Sequence, residues 1–173
     1  RDPNLVTFLE ANLESLVALE LPPEELVWVV AQNCRIKADI VASDETEKGL
    51  REILNYGHTI GHAIEVVTRY QVFKHGEAVC LGMIAAGKIA LDRGLWPKSD
   101  LDRQTGLLRR LGIPNGAEKL DRLEILDRMG SDKKVRDGVI RFILPESIGN
   151  VVACDTVTRD EILAGIEYMK AAS

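Results

Sequence analysis

All three histidines of this chain fall between positions 58 and 75, in Asn55-Tyr56-Gly57-His58-Thr59-Ile60-Gly61-His62-Ala63-Ile64-Glu65 and Lys74-His75-Gly76-Glu77. Imidazole binds divalent cations readily and exchanges a proton near neutral pH, so gathering every copy in one stretch points to a single polar site. His58 and His62 are four apart. On a helix they share a face, the geometry by which two imidazoles hold one ion. Glu65 lies on the same stripe, so spacing alone offers His58, His62 and Glu65 as two nitrogens and an oxygen for Zn2+; the plainer alternative is a hydrogen-bonded pair of histidines. His75 stands where a new helix begins and can point from that helix end into a cleft. Glu77, in the first turn, is read as serving the helix dipole.

Cationic and amide groups surround the cluster. Arg51 and Asn55, four apart, are expected to share a face leading toward His58; Lys37 lies on the preceding helix, and Asp132-Lys133-Lys134-Val135-Arg136 is a later basic spot. Each alone is an ordinary surface charge, but beside a metal they suit a small anionic substrate whose phosphate or carboxylate they would hold. Gly57 and Gly61 flank the first histidine. A glycine inside a helix costs about 1 kcal/mol relative to alanine, so a ligand or another backbone is expected to come close there.

The elements that must position these residues are mostly helical. Leu5, Phe8, Leu9, Leu13, Leu16 and Val17 recur at three and four residues, and Pro22-Pro23 breaks the run and opens a second helix to about Val41. A charged connector over 43–49 follows. Then come a short helix over Leu50–Asn55, a helix from Gly57 to about Thr68, and a long one from Gly76 to about Leu91. Gly82, Ala85, Ala86, Gly87 and Ala90 make that last helix thin enough for close neighbours. Ser99 is read as the cap of a helix over Leu101–Leu111, and Leu120–Met129 as a shorter one. The pattern then turns β-rich at 139–144 and 150–154, joined by 145–149 as a hairpin. Thr158 and Glu161 have capping-box spacing before a final helix.

A 173-residue chain with 46% apolar and 28% charged residues is an ordinary one-domain composition. Aromatics make up 5%, which leaves the core to aliphatic side chains. A net charge of −5 argues against nonspecific binding to nucleic acid or anionic membrane. No run approaches the ~18 apolar residues of a membrane span. Three widely spaced cysteines without a CxxC make disulfides unexpected and favour a cytoplasmic setting. No GxGxxG, P-loop or GxSxG motif appears, so any nucleotide cofactor is expected to be held by residues outside this chain. The opening Arg1-Asp2-Pro3, without a methionine, reads as part of a longer protein.

The runs Lys37-Ala38-Asp39-Ile40-Val41-Ala42-Ser43-Asp44-Glu45, Gly49 to Glu65, His75-Gly76-Glu77-Ala78-Val79 with Gly82-Met83, Asp132-Lys133-Lys134 and Gly138 to Pro145 together strongly resemble 3-dehydroquinate synthase. The block Leu54 to Glu65 is the most specific. The resemblance spans nearly the whole chain and implies a mainly α fold: the multi-helix C-terminal domain of the dehydroquinate synthase-like architecture, with a small β-hairpin near 139–154. It implies that residues 1–173 form a metal- and substrate-binding domain and that an N-terminal NAD-binding domain is absent from this chain. The family is an NAD- and metal-dependent carbon–oxygen lyase of the shikimate pathway, which leads to aromatic amino acids. It turns 3-deoxy-D-arabino-heptulosonate 7-phosphate into 3-dehydroquinate and phosphate, uses Zn2+ or Co2+, and works as a homodimer.

Carried over by position, the resemblance implies His58 and His75 as the metal ligands and His62 as a proton-handling residue facing substrate. Lys37, Arg51, Asn55 and one of Lys133 and Lys134, with Lys133 preferred, are implied as substrate-binding. The family's third metal ligand, a glutamate, and an active-site lysine belong to a segment before Arg1, so the chain alone is expected to be inactive. The alternatives are a related sugar-phosphate cyclase of the 2-deoxy-scyllo-inosose or valiolone synthase type, a metal-dependent polyol dehydrogenase, and a non-catalytic helical module. Lys37, Arg51 and Asn55 together favour dehydroquinate synthase over the first. The Asn-x-x-His-x-x-x-His and His-Gly-Glu blocks argue against the second.

Overall fold

His75–Asp92 forms the helix around which the other elements assemble in the computed structural model, which describes residues 1–44, 49–113, 115–130 and 140–172. In chain order the helices are α1 (Pro3–Val17), α2 (Pro23–Ser43), α3 (His58–Val67), α4 (His75–Asp92), α5 (Lys98–Arg110), α6 (Arg122–Gly130) and α7 (Arg159–Ala172). Short 3-10 segments cover Leu50–Asn55 and Ala117–Lys119, and strands β1 (Phe142–Ser147) and β2 (Asn150–Cys154) pair antiparallel. Among the described residues the chain is mainly α with one hairpin, as the sequence predicts.

The central position of α4 follows from its composition. Leu81, Ile84 and Ile89 are fully buried, each contributing about 1.5–3 kcal/mol by leaving water, and Ala78, Ala85, Ala86 and Ala90 fill the space between them. α3 packs on one side of α4, α7 on another, and β1 and α5 complete its surroundings. Small residues set these distances. A Cβ on Gly165 of α7 would stand 2.9 Å from the Ala85 carbonyl oxygen, and one on Gly87 would meet Leu101 at 2.9 Å. Among the described residues no helix is long and apolar enough to cross a membrane.

Several local expectations change. Leu50–Asn55 is a 3-10 helix, in which residues three apart eclipse, so Arg51 lies over Leu54 and not over Asn55 as an α-helix would have it. Ser99 is no cap: α5 begins at Lys98, with Pro97 preceding it at φ −78°. Pro97 supplies the extended residue before the first turn, leaving Ser99 inside that turn. The hairpin is tighter than its sequence suggests. β1 continues through Pro145 to Ser147, with an irregularity between Pro145 and Ser147, and only Ile148-Gly149 forms the turn. In a two-stranded sheet both strands are edges, where proline is tolerated. The capping box at α7 is as expected: Thr158 N–H donates to Glu161 Oε2 (2.7 Å), and Glu161 N–H donates back to Thr158 Oγ1 (3.4 Å).

Candidate metal centre

Two devices bring the histidines together. The first is a glycine seam between α3 and α4. Gly57 is the residue before α3 and lies at φ +80°, in the left-handed region; it is not inside the helix, as its spacing had suggested. A Cβ there would stand 2.6 Å from the Val79 carbonyl oxygen, and one on Gly61 would stand 3.0 Å from that of Ala78. The close approach that the glycines imply is therefore helix on helix. The second device is the turn between α3 and α4. Arg69 and Tyr70 both take positive φ, 54° and 57°, a conformation costing side-chain-bearing residues about 1–3 kcal/mol each. Buried Phe73 pins the turn. Lys74 N–H then donates to Glu77 Oε2 at 2.7 Å, capping α4 so that His75 is its first residue. Glu77 thus has a capping role in addition to its place near the dipole.

The result is a cluster. The ring centroids of His58 and His62 are 5.3 Å apart, those of His58 and His75 5.2 Å, and those of His62 and His75 5.8 Å. One ring nitrogen of each lies within 4.8 Å of one from each of the others. Ligands at about 2.05 Å around a tetrahedral Zn2+ are roughly 3.3 Å apart, so side-chain torsions alone can close these rings on an ion. The donor set, all imidazole, suits Zn2+ or Co2+. Glu65 is not among the donors. Its carboxylate is buried behind His75, with both oxygens 3.2 Å from His75 Nδ1. The helical stripe that placed Glu65 with His58 and His62 is real, but its partner comes from α4.

His58 is anchored through its neighbours. Nδ1 lies 3.3 Å from the Tyr56 carbonyl oxygen. Tyr56 reaches into the α4–α5 contact, where its hydroxyl donates to Gln104 Oε1 at 2.6 Å while Gln104 Nε2 donates to the Met83 carbonyl at 3.0 Å. Burial pushes the Tyr56 hydroxyl pKa well above its ordinary value, so it stays a neutral donor. The hairpin braces the same region: Arg141 Nε pairs with Glu52 at 2.8 Å, and Thr59 Oγ1 donates to the Arg141 carbonyl at 3.2 Å. Beside His62 opens a cleft of about 440 Å3, lined by Thr59, His62, Tyr70, Arg128 and Met129 among others.

The profile of the 3-dehydroquinate synthase C-terminal family matches residues 1–135. The chain belongs to this family. A 3-dehydroquinate synthase from Nostoc sp. is 47% identical over 150 residues, covering 86% of this chain and 41% of the relative. Another, from Nostoc punctiforme, is 44% identical over 169 residues, covering 97% and 47%. Among solved structures, the 2-epi-5-epi-valiolone synthase of Streptomyces hygroscopicus subsp. jinggangensis with NAD+ and Zn2+ bound superposes with a TM-score of 0.87 at 26% identity, over 100% of this chain and 48% of that one. A 2-deoxy-scyllo-inosose synthase complexed with carbaglucose-6-phosphate, NAD+ and Co2+ gives 0.72 at 29%, over 84% and 41%. The chain thus spans about half the length of the curated relatives it matches.

The other positions singled out from the sequence lie on α2 and on the 3-10 segment before α3. Arg51 and Asn55 are half-buried on the 3-10 segment that leads into Tyr56 and His58. The Asp44 carboxylate accepts from the N–H groups of Gly49 (2.8 Å) and Arg51 (3.0 Å). Lys37 is exposed on α2, and α2 packs against that same segment. Lys133 and Lys134 lie outside the described residues. Sequence reasoning missed Glu65 as a partner of His75, and also Arg128, which enters the cleft from α6. Spacing ties Glu65 to His58 and His62 but not to His75, and nothing in the spacing ties Arg128 to any histidine.

Proposed function

We propose that this chain is the metal- and substrate-binding half of a 3-dehydroquinate synthase. With an NAD-binding half it converts 3-deoxy-D-arabino-heptulosonate 7-phosphate to 3-dehydroquinate and phosphate, as a homodimer in the cytoplasm. The observation that carries this reading is the convergence of His58, His62 and His75 beside a cleft, on a chain 47% identical to a relative bearing that name. The NAD+ with Zn2+ or Co2+ bound to the solved relatives supports the cofactor assignment.

His58 and His75 hold the metal, with a further ligand supplied from outside this chain. When bound, the metal would supply Lewis-acid polarisation of a substrate hydroxyl, and NAD+ would supply a reversible hydride acceptor. His62 lines the cleft and holds or moves a proton at its ring nitrogen. Arg51, Lys37 and Lys133 bind the anionic groups of the substrate, and Asn55 binds a hydroxyl. The test is phosphate release and metal content of the complete protein with this substrate. Absence of turnover in metal-replete, NAD-supplied protein refutes the reading.

The superposition of this chain on 48% of a valiolone synthase supports a second reading, a different sugar-phosphate cyclase. The dehydroquinate synthase relatives, at 44–47% identity against 26% for that structure, weigh against it. Product analysis separates the two.

A further inference from the structure

Glu65 is a carboxylate that the roles above leave without a task. It is 6% exposed on α3, between fully buried Ile64 and the half-exposed Val66. Burying an ionised carboxylate costs several kcal/mol unless it is paired, and an apolar side chain would fill the position without that cost. Its partner is His75, ten residues on and across the α3–α4 turn, whose Nδ1 lies 3.2 Å from both carboxylate oxygens. An ionised carboxylate only accepts, so the ring donates: in the neutral imidazole the proton sits on Nδ1 and the lone pair on Nε2. His75 has little else to hold it, being the first residue of α4 with a side chain 58% exposed.

We infer that Glu65 is the positioning residue for His75, fixing its tautomer and ring orientation so that Nε2 is presented to a divalent cation. A carboxylate behind a ligating histidine orients the ring and raises its basicity. His58 has the same arrangement on a smaller scale. The Tyr56 carbonyl, also an acceptor only, lies 3.3 Å from its Nδ1 and selects the same tautomer. The two rings assigned as ligands are thus set alike, one by backbone and one by Glu65. This inference rests on the proposed role of His75 as a ligand.

The test uses the complete protein and its Glu65→Leu, Glu65→Gln and His75→Ala variants. Zn2+ affinity is measured by competition with a chelator, and the His75 tautomer by long-range 1H–15N NMR on histidine-labelled apoprotein. We expect Nδ1-protonated His75 in the parent protein and loss of that preference in Glu65→Leu. Zn2+ affinity should fall about 10- to 100-fold in Glu65→Leu and stay within about tenfold in Glu65→Gln, whose amide oxygen still accepts. Parent-like affinity or tautomer in Glu65→Leu overturns the inference, as does a parent apoprotein with the proton on Nε2. A Glu65→Gln loss as large as that of His75→Ala overturns it too, by making Glu65 a ligand. Should Glu65→Leu fail to fold, Glu65→Gln and the parent tautomer still decide. Undiminished affinity in His75→Ala removes the underlying ligand assignment, and the apoprotein tautomer then reports separately on the Glu65–His75 pair.

Discussion

Replacing Gly82 by alanine adds one methyl group where α4 touches α3, and the structure sets the scale of the damage. The new Cβ would stand 2.9 Å from both the Gly57 carbonyl carbon and the Gly61 nitrogen, with the Gly57 carbonyl oxygen nearer still. Ordinary carbon contacts lie at about 3.5–4.0 Å, and every atom in the way is backbone, so no rotamer change relieves the clash. The Gly57 carbonyl oxygen sets the displacement, so the N-terminal end of α3 must back away by more than about 1 Å. Overpacking of this kind costs about 1–3 kcal/mol, and the upper end applies here. For a chain of this size that is about 6–10 °C in Tm. The same displacement carries His58 away from His75. Metal sites tolerate departures of only about 0.2 Å in ligand distance, so Zn2+ affinity should fall by at least about tenfold. The assays are thermal unfolding and chelator competition, with Gly106→Ala as control. Nothing lies within 4 Å of a Cβ at Gly106 of α5, and that change should be neutral or stabilise by about 0.5–1 kcal/mol. A Gly82→Ala protein with parent Tm and parent Zn2+ affinity would refute the claim that the seam sets the spacing of the histidines.

His75→Ala should abolish zinc retention and turnover, read by metal analysis, and normal metal content contradicts its assignment as ligand. His62→Ala should keep the metal while kcat falls about 10²- to 10⁴-fold, the usual weight of proton transfer; loss of zinc to the extent seen with His75→Ala makes His62 a ligand instead. Arg51→Ala should raise KM and leave zinc in place, and unchanged kinetics remove Arg51 from the substrate site. Two bonds from the Arg93 guanidinium, then the Thr158 N–H and hydroxyl, hold the Glu161 carboxyl down to about 2. A depressed folded pKa stabilises the fold above the unfolded value and loses that contribution as pH falls through the folded one. Glu161→Gln should therefore flatten the decline in Tm between about pH 4.5 and 2, and an identical decline in both proteins contradicts the role of this pair.

Local chemistry was the most legible part of the sequence. The Thr158–Glu161 capping box needs only side chains three residues apart, and it forms. The proline breaks and the small-residue character of α4 likewise survive into the structure. Errors arose where one local rule competed with another. At Ser99 the cap preference lost to Pro97, which already supplies the extended residue before the helix. At Pro145 the reading of 145–149 as the hairpin's connection gave way to a strand that runs on to Ser147, where edge position tolerates proline. At Leu50–Asn55 the apolar pattern does not distinguish 3.6 residues per turn from 3.0, and the expected alignment of Arg51 with Asn55 depended on that difference.

The histidine cluster shows where sequence reasoning stops and why. His58 and His62 meet because one helix carries both, so their spacing contains the answer. His75 joins them only because three glycines let α3 and α4 approach and because two residues accept positive φ in the turn between them. Those are properties of a pair of helices, invisible along either one; clustering put His75 in the same polar site, and the resemblance to known enzymes was needed to read it as a metal ligand. Glu65 is the sharper case. Its helical stripe was correct, yet the stripe does not say whether the carboxylate faces the ion or the back of a ligand. Only the placement of α4 decides, by bringing the His75 ring near the other two rings with its Nδ1 3.2 Å from that carboxylate. The seam that sets the distance between the rings also sets the distance at which Glu65 can orient one of them. Widening it should therefore weaken metal binding twice over, through His58 and through Glu65, and Gly82→Ala combined with Glu65→Leu should lose less Zn2+ affinity than the sum of the two separate losses.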